Sequence, residues 1–115
     1  MVHKFIILLI STFTVVPYLA QKKIADGVKK FYFENGIVSS EGFIKNGLPE
    51  GYWFSYYKNG IKKSEGNRKQ SLLDSTWIFY NEDGNFKSKI NYKEGKKDGL
   101  AITYSDSSNI ILVEN

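Results

Sequence analysis

Twelve acidic side chains hold most of the chemical potential of this chain, because its imidazole and thiol inventory is nearly empty. There is no cysteine, and the single histidine is His3. Ser-His and Cys-His nucleophilic pairs therefore drop out beyond that point, as do zinc sites built on imidazole or thiolate. Two carboxylates could still run glycoside hydrolysis. The acids, however, fall into columns. Asp26, Glu50, Asp74 and Asp98 recur every 24 residues, and Glu41 and Glu65 keep the same step. A catalytic pair is normally singular, whereas a column is structural, so no catalytic residue, cofactor site or enzyme activity is expected. Ser105-Asp106-Ser107-Ser108-Asn109 has a calcium-loop flavour without the spacing of a recognised loop. Turn chemistry accounts for it, and no metal site is expected.

The elements that would position these columns repeat with them. Tyr32, Tyr56, Tyr80 and Tyr104 are 24 residues apart, and so are Gly36, Gly60 and Gly84, with Ser108 as the fourth member. The acidic–small pairs Asp26-Gly27, Glu50-Gly51, Asp74-Ser75 and Asp98-Gly99 share the step. A fixed period of this length marks an array in which each unit leans on its neighbours. The unit reads as a β-hairpin: Gly51-Tyr52-Trp53-Phe54-Ser55-Tyr56-Tyr57 is aromatic and β-rich, and Ile61-Lys62-Lys63-Ser64-Glu65-Gly66 returns. Asn35-Gly36, Asn59-Gly60 and Asp83-Gly84 predict two-residue type I′ turns. Lys45–Gly51 and Lys93–Gly99 have loop composition. The expected fold is all-β: an elongated, single-layer antiparallel meander of about eight strands built from four hairpin repeats.

Counting outward from a two-residue turn at Asn59-Gly60 sets Lys58 opposite Ile61, Ser55 opposite Ser64 and Trp53 opposite Gly66. A ring opposite a small residue covers backbone that the small residue leaves bare. A bulge near the turn would shift every pair.

Gly-x-Trp-x-x-Tyr-Tyr-x-Asn-Gly followed by Lys-x-x-Glu-Gly, over residues 51–66, resembles the bacterial variant of the MORN repeat. The third copy keeps Trp77, Tyr80 and Gly84 but has Ser75 for the leading glycine. The fourth has Ala101 for the tryptophan and Ser108 for the turn glycine. The resemblance covers roughly residues 26–115 and implies a twisted antiparallel sheet. It also implies protein interaction or membrane association, with antitoxin-like roles in bacterial members, and it brings no catalytic residues.

Residues 1–20 are of a different kind. Met1-Val2-His3-Lys4 precedes an apolar run from Phe5 to Val16, broken only by Ser11, Thr12 and Thr14, and Pro17-Tyr18-Leu19-Ala20 ends it. This is the layout of a secretory signal peptide, and the run is shorter than the roughly 20 residues of a spanning helix. Cleavage is expected near Ala20, leaving one domain over residues 21–115 in the periplasm or outside the cell. An uncleaved segment would instead make a membrane anchor. Without residues 1–20, which hold Lys4 and no acid, 15 basic and 12 acidic side chains remain, net +3.

Lysines such as Lys29-Lys30, Lys62-Lys63 and Lys96-Lys97 are spread through the repeats. Their ordinary use is a solvated face that discourages edge pairing. Export and the small net charge argue against nucleic acid. Aromatic residues make up 16% of the chain. Tyr32, Tyr56, Tyr80 and Tyr104 share a face with Phe54, Ile78 and Ile102, a stripe assigned to packing between repeats. Trp53, Tyr57, Trp77 and Phe79 fall on the alternate face. One sheet cannot bury both faces, so these four are candidate partner-binding residues unless the sheet itself covers them. Two functions stay open: an exported, non-catalytic module that binds protein through these rings or self-associates, or a membrane- or envelope-surface element using lysines and aromatic side chains.

Overall fold

The computed structural model describes residues 24–115, and the expected signal segment over residues 1–20 lies outside them. The described residues form eight strands and no helix: β1 (Gly27–Tyr32), β2 (Val38–Lys45), β3 (Leu48–Tyr56), β4 (Lys62–Lys69), β5 (Leu72–Tyr80), β6 (Phe86–Lys93), β7 (Lys96–Tyr104) and β8 (Ile110–Glu114). All lie in one open sheet in chain order, each antiparallel to the next. The single-sheet meander expected from the 24-residue period is the observed architecture.

The turns are exchanged relative to expectation. At the aromatic hairpins the loops have three residues, Glu34-Asn35-Gly36, Lys58-Asn59-Gly60, Glu82-Asp83-Gly84 and Asp106-Ser107-Ser108. Gly60 N donates to Tyr57 O at 2.9 Å and Tyr57 N donates to Ile61 O at 2.8 Å. Only the third residue is left-handed, with φ 87° at Gly60 and 64° at Ser108. This is a turn closed by a left-handed bulge residue, not a type I′ turn. The Asn59 side chain favours it, since Oδ1 accepts Ile61 N at 2.9 Å across the turn.

Lys58 consequently does not face Ile61. One residue further out, Tyr56 pairs with Lys62 while Ser55 pairs with Ser64, so Lys63 is an extra residue in β4. The turn and the bulge offset each other. From Ser55 inward the register is the expected one, including Trp53 opposite Gly66. The same shift recurs at Phe31/Tyr32, Phe79/Tyr80 and Thr103/Tyr104.

Two-residue turns with both residues left-handed do occur, at the other edge of the sheet. Asn46-Gly47 (φ 51° and 78°), Gln70-Ser71 (50° and 73°) and Glu94-Gly95 (51° and 81°) join the repeats as type I′ turns. Strands thus run through segments that read as loop, and Pro49-Glu50-Gly51 belongs to β3. The acid column supports this edge: Asp26 Oδ1 accepts Asn46 N at 2.8 Å and Glu50 Oε2 accepts Gln70 N at 2.7 Å.

Glu94 carries a left-handed conformation that costs an ordinary residue about 1 kcal/mol or more and costs asparagine less. Glu94→Asn creates the favoured Asn-Gly pair, and the urea midpoint is expected to rise by the equivalent of about 1 kcal/mol. An unchanged or lowered midpoint would contradict the type I′ geometry here.

Candidate functional site

Trp53 and Trp77 are held by a gap in the sheet's own ladder. Between Glu41 and Phe43 the β2–β3 register slips, and Gly51-Tyr52-Trp53 together oppose Gly42. The extra residues need a left-handed position, taken by Gly51 at φ 77° and, one repeat on, by Ser75 at 63°. At the slip, Trp53 Nε1 donates to Phe43 O at 3.1 Å, and Trp77 Nε1 donates to Asn67 O at 2.9 Å. Each indole supplies a hydrogen bond to a strand carbonyl where the ladder is interrupted. The ring then lies flat on glycine. A Cβ on Gly42 would come within 2.4 Å of Trp53, and one on Gly66 within 2.3 Å of Trp77. The ring therefore covers the glycine of the preceding strand, whereas across the hairpin Trp53 faces Gly66 and Trp77 faces Ile90.

Trp53 and Trp77 are 7% and 3% exposed and form the buried cluster with Ile44, against which Leu73, Phe79 and Tyr92 pack. Of the four candidate partner-binding rings, the structure brings Trp53, Trp77 and Phe79 together. Tyr57 sits apart at the turn edge, where its hydroxyl donates to Tyr80 O at 2.6 Å.

Beside the two indoles lies an open trough of about 360 Å³. Its floor is serine, because Ser40 pairs with Ser55 and Ser55 with Ser64 across three strands. Ser55 and Ser64 hydroxyls bond each other. Phe31, opposite Ser40, and Phe79, opposite Ser64, end this row of small residues. Phe31 stacks on Trp53 with centroids 6.5 Å apart, and Phe79 tilts against Trp77 at 6.4 Å. Arg68 sits 5.2 Å over the Trp77 ring with Nη1 donating to Ser71 O at 2.7 Å. Phe31, Arg68 and the serine floor are site residues that the sequence reading did not single out. The column arithmetic could have found Phe31 and the floor: Phe31, Ser55, Phe79 and Thr103 are one column, in which the ring alternates with a small hydroxyl residue.

The opposite face has different chemistry. Tyr56 OH donates to Glu41 Oε2 at 2.9 Å and Tyr80 OH to Glu65 Oε2 at 2.6 Å, the same link in successive repeats. Tyr52 and Lys62 also bond Glu65, both at 2.8 Å. Where the third repeat has Lys89 in the glutamate column, its ammonium lies 5.8 Å from the Tyr104 ring and 4.4 Å from Phe86. Burial, then the hydrogen bond and charge of the glutamate, push the Tyr52 and Tyr56 phenols up to about 12. Tyr80 moves upward for the same reasons. Burial pushes the Glu65 carboxyl up, but bonds from Lys62, Tyr80 and Tyr52 outweigh it, and the net displacement is downward.

Among the described residues no group of three or more His, Cys, Asp or Glu side chains is placed to hold a metal ion. No helix among them is long and apolar enough to cross a membrane. A family model described as MORN repeat variant matches residues 25–46, 49–70 and 73–94, more than half of the chain. The β7–β8 hairpin follows beyond the last match. No curated protein matches the chain, and neither does any solved structure.

Gly66→Ala drives a Cβ into the Trp77 ring and is expected to cost about 1 to 3 kcal/mol, whereas Trp77→Ala costs about 3 to 5. Because both changes act through one contact, the double variant is expected to lose clearly less than the two together. Additive losses in urea unfolding would mean that the ring does not lie on the glycine.

The raised phenols contribute stability that is fully present below their unfolded value near 10 and is lost as pH rises toward 12. Urea midpoints are therefore expected to hold up to pH 10 and then fall. Glu65→Gln should lose part of that dependence, and an unaltered profile would refute the coupling.

Proposed function

The chain belongs to the MORN repeat variant family, and from that premise we propose that it is an exported, non-catalytic interaction module. Its partner is a protein that inserts an apolar or aromatic side chain into the serine-floored trough. The observation that carries this reading is the trough itself: a row of three small hydroxyl residues between Phe31 and Phe79, walled by two fixed indoles. Clustered tryptophan and arginine dominate binding energy when a partner covers them. Here the tryptophans are pre-set by the fold, so a ligand orders little on arrival. Trp53 and Trp77 act as walls, Phe79 backs Trp77 from beyond the end of the serine row, and Phe31 and Arg68 give the more accessible contacts. Tyr57 would meet only a partner that reaches the turn edge. Export rests on the layout of residues 1–20, with the mature form beginning near Gln21. An immunity- or antitoxin-like role would be a special case of this module.

A membrane-surface reading is favoured by a separate observation. At the type I′ edge Lys45 pairs with exposed Leu48 and Lys69 with exposed Leu72, and Lys93 and Lys96 follow. Leucine tips flanked by lysine suit an anionic lipid surface.

Ser64→Leu fills the trough without touching the lysine–leucine edge. The exported form, with its N-terminus near Gln21, is expected to capture a protein from its own cells that Ser64→Leu fails to capture. That capture should persist as salt rises from about 0.15 to about 1 M, where screening is strong. Binding instead to anionic vesicles, lost at high salt and in a Leu48→Ser/Leu72→Ser variant, would replace the trough with the edge. Capture unaffected by Ser64→Leu would refute the trough.

A further inference from the structure

The two edge strands of the sheet are not alike, and their difference is complementary. Among the described residues, the outer edges of β1 and β8 pair with no other strand. Natural edges are usually guarded by lysine, proline or a bulge. β1 has Lys29 and Lys30, which repel a second β1. β8 has no basic residue, and Ile110, Ile111, Leu112 and Val113 are 48 to 64% exposed.

Strands alternate in direction and their number is even, so β8 runs antiparallel to β1. The chain also keeps one period. β8 occupies the place in the repeat that β6 occupies one unit earlier, and β1 occupies the place of β7 in a unit three steps back. A second copy set against β8 would therefore continue the sheet as β7 continues it from β6. The β6–β7 register pairs Ser88 with Thr103, Lys89 with Ile102 and Ile90 with Ala101. Moved on by one period, those pairs become Leu112 with Phe31, Val113 with Lys30, and Glu114 with Lys29 of the next copy.

Each of these matches. Leu112 and Phe31 are apolar partners on the trough face. Val113 with Lys30 is the Lys89–Ile102 pair with its sides exchanged. Glu114 and Lys29 occupy the slot that inside the chain holds ring on glycine at Trp53 and Trp77, and Ile90 against Ala101. At this junction the slot takes opposite charges in place of a large–small pair, which suits a contact that must form from separate chains.

We infer that the chain associates head to tail with copies of itself, β8 of one adding to β1 of the next in the register of the internal repeat. Such a contact is heterologous and leaves a free edge at each end, so it continues into open assemblies. The inference does not depend on what fills the trough.

The chain has no cysteine, so single cysteines report the junction directly. With the full chain as cells produce it, a mixture of Lys29→Cys and Glu114→Cys is expected to give a disulfide-linked dimer on mild oxidation. Neither variant alone should do so, and the double variant should give a ladder. Cross-linking by Glu114→Cys alone as readily as by the mixture would mean β8 pairing with β8, and would overturn the inference. No cross-link in the mixture would overturn it as well. A second measurement does not need the thiols. Sedimentation of the parent should show mass rising with concentration, Glu114→Lys should abolish that rise, and the charge-swapped Glu114→Lys/Lys29→Glu chain should regain it. Failure of the swapped chain to associate would exclude this register.

Discussion

A tryptophan lying on a glycine, with its indole N–H turned to a strand carbonyl, is the contact on which this sheet depends. A single layer has no second sheet to bury its apolar residues against, and among the described residues only Ile44, Trp53 and Trp77 are buried hydrophobics. The indole solves this by lying down. It covers the backbone of the preceding strand where Gly42 or Gly66 leaves room, and its nitrogen bonds Phe43 O or Asn67 O at the register slip. The flat ring requires the glycine and its hydrogen bond requires the slip, which the β6–β7 interface keeps without either residue. A Cβ on the glycine lifts the ring, and without the slip the indole N–H has no carbonyl within reach.

Both edges of each repeat are tied to the next by the same logic of offset by one unit. At the three-residue turns, Asn35 Nδ2 donates to Lys58 O and Asn59 Nδ2 to Glu82 O, both at 3.0 Å. Asp83 cannot donate, and there Asn85 Nδ2 takes over, bonding Asp106 O at 2.6 Å. On the face away from the indoles, Tyr56 and Tyr80 reach the glutamate of the repeat before. Every such link joins nearest neighbours, so stability is a sum of similar interfaces, as in other linear arrays. The third interface changes its parts and keeps the pattern: Ile90 and Ala101 exchange large and small, and Lys89 on the aromatic rings stands in for glutamate on phenol.

This construction also decides what is left for partners. The indoles are consumed by the sheet, but the serine row beside them gives the trough its depth, and the fixed rings give it walls. Much of the remaining apolar surface lies at the borders, on Leu48 and Leu72 at one turn edge and on β1 and β8 at the two ends of the array. A repeat sheet exposes its ends by nature, because the terminal unit has one neighbour fewer than the rest.

The amino-acid sequence by itself determined the period, the hairpin count, the strand order and the inner register. Tyr32, Tyr56, Tyr80 and Tyr104 recur without a slip, and local antiparallel hairpins follow from turn residues and alternation alone. It also showed that the acids form columns, in one of which the structure uses Asp26 and Glu50 to cap type I′ turns. What tertiary structure decided was which turn is which. Asn-Gly suits both a type I′ turn and the end of a three-residue loop, while Gln70-Ser71 and Glu94-Gly95 carry little turn signal. Their left-handed backbone is imposed by the strands they join and, at Gln70, by a carboxylate 20 residues earlier. The fate of Trp53 and Trp77 was likewise open, because strand alternation assigns a face and not a depth. Only the register slip, which depends on two strands at once, turns the rings from a projecting patch into the wall of a trough.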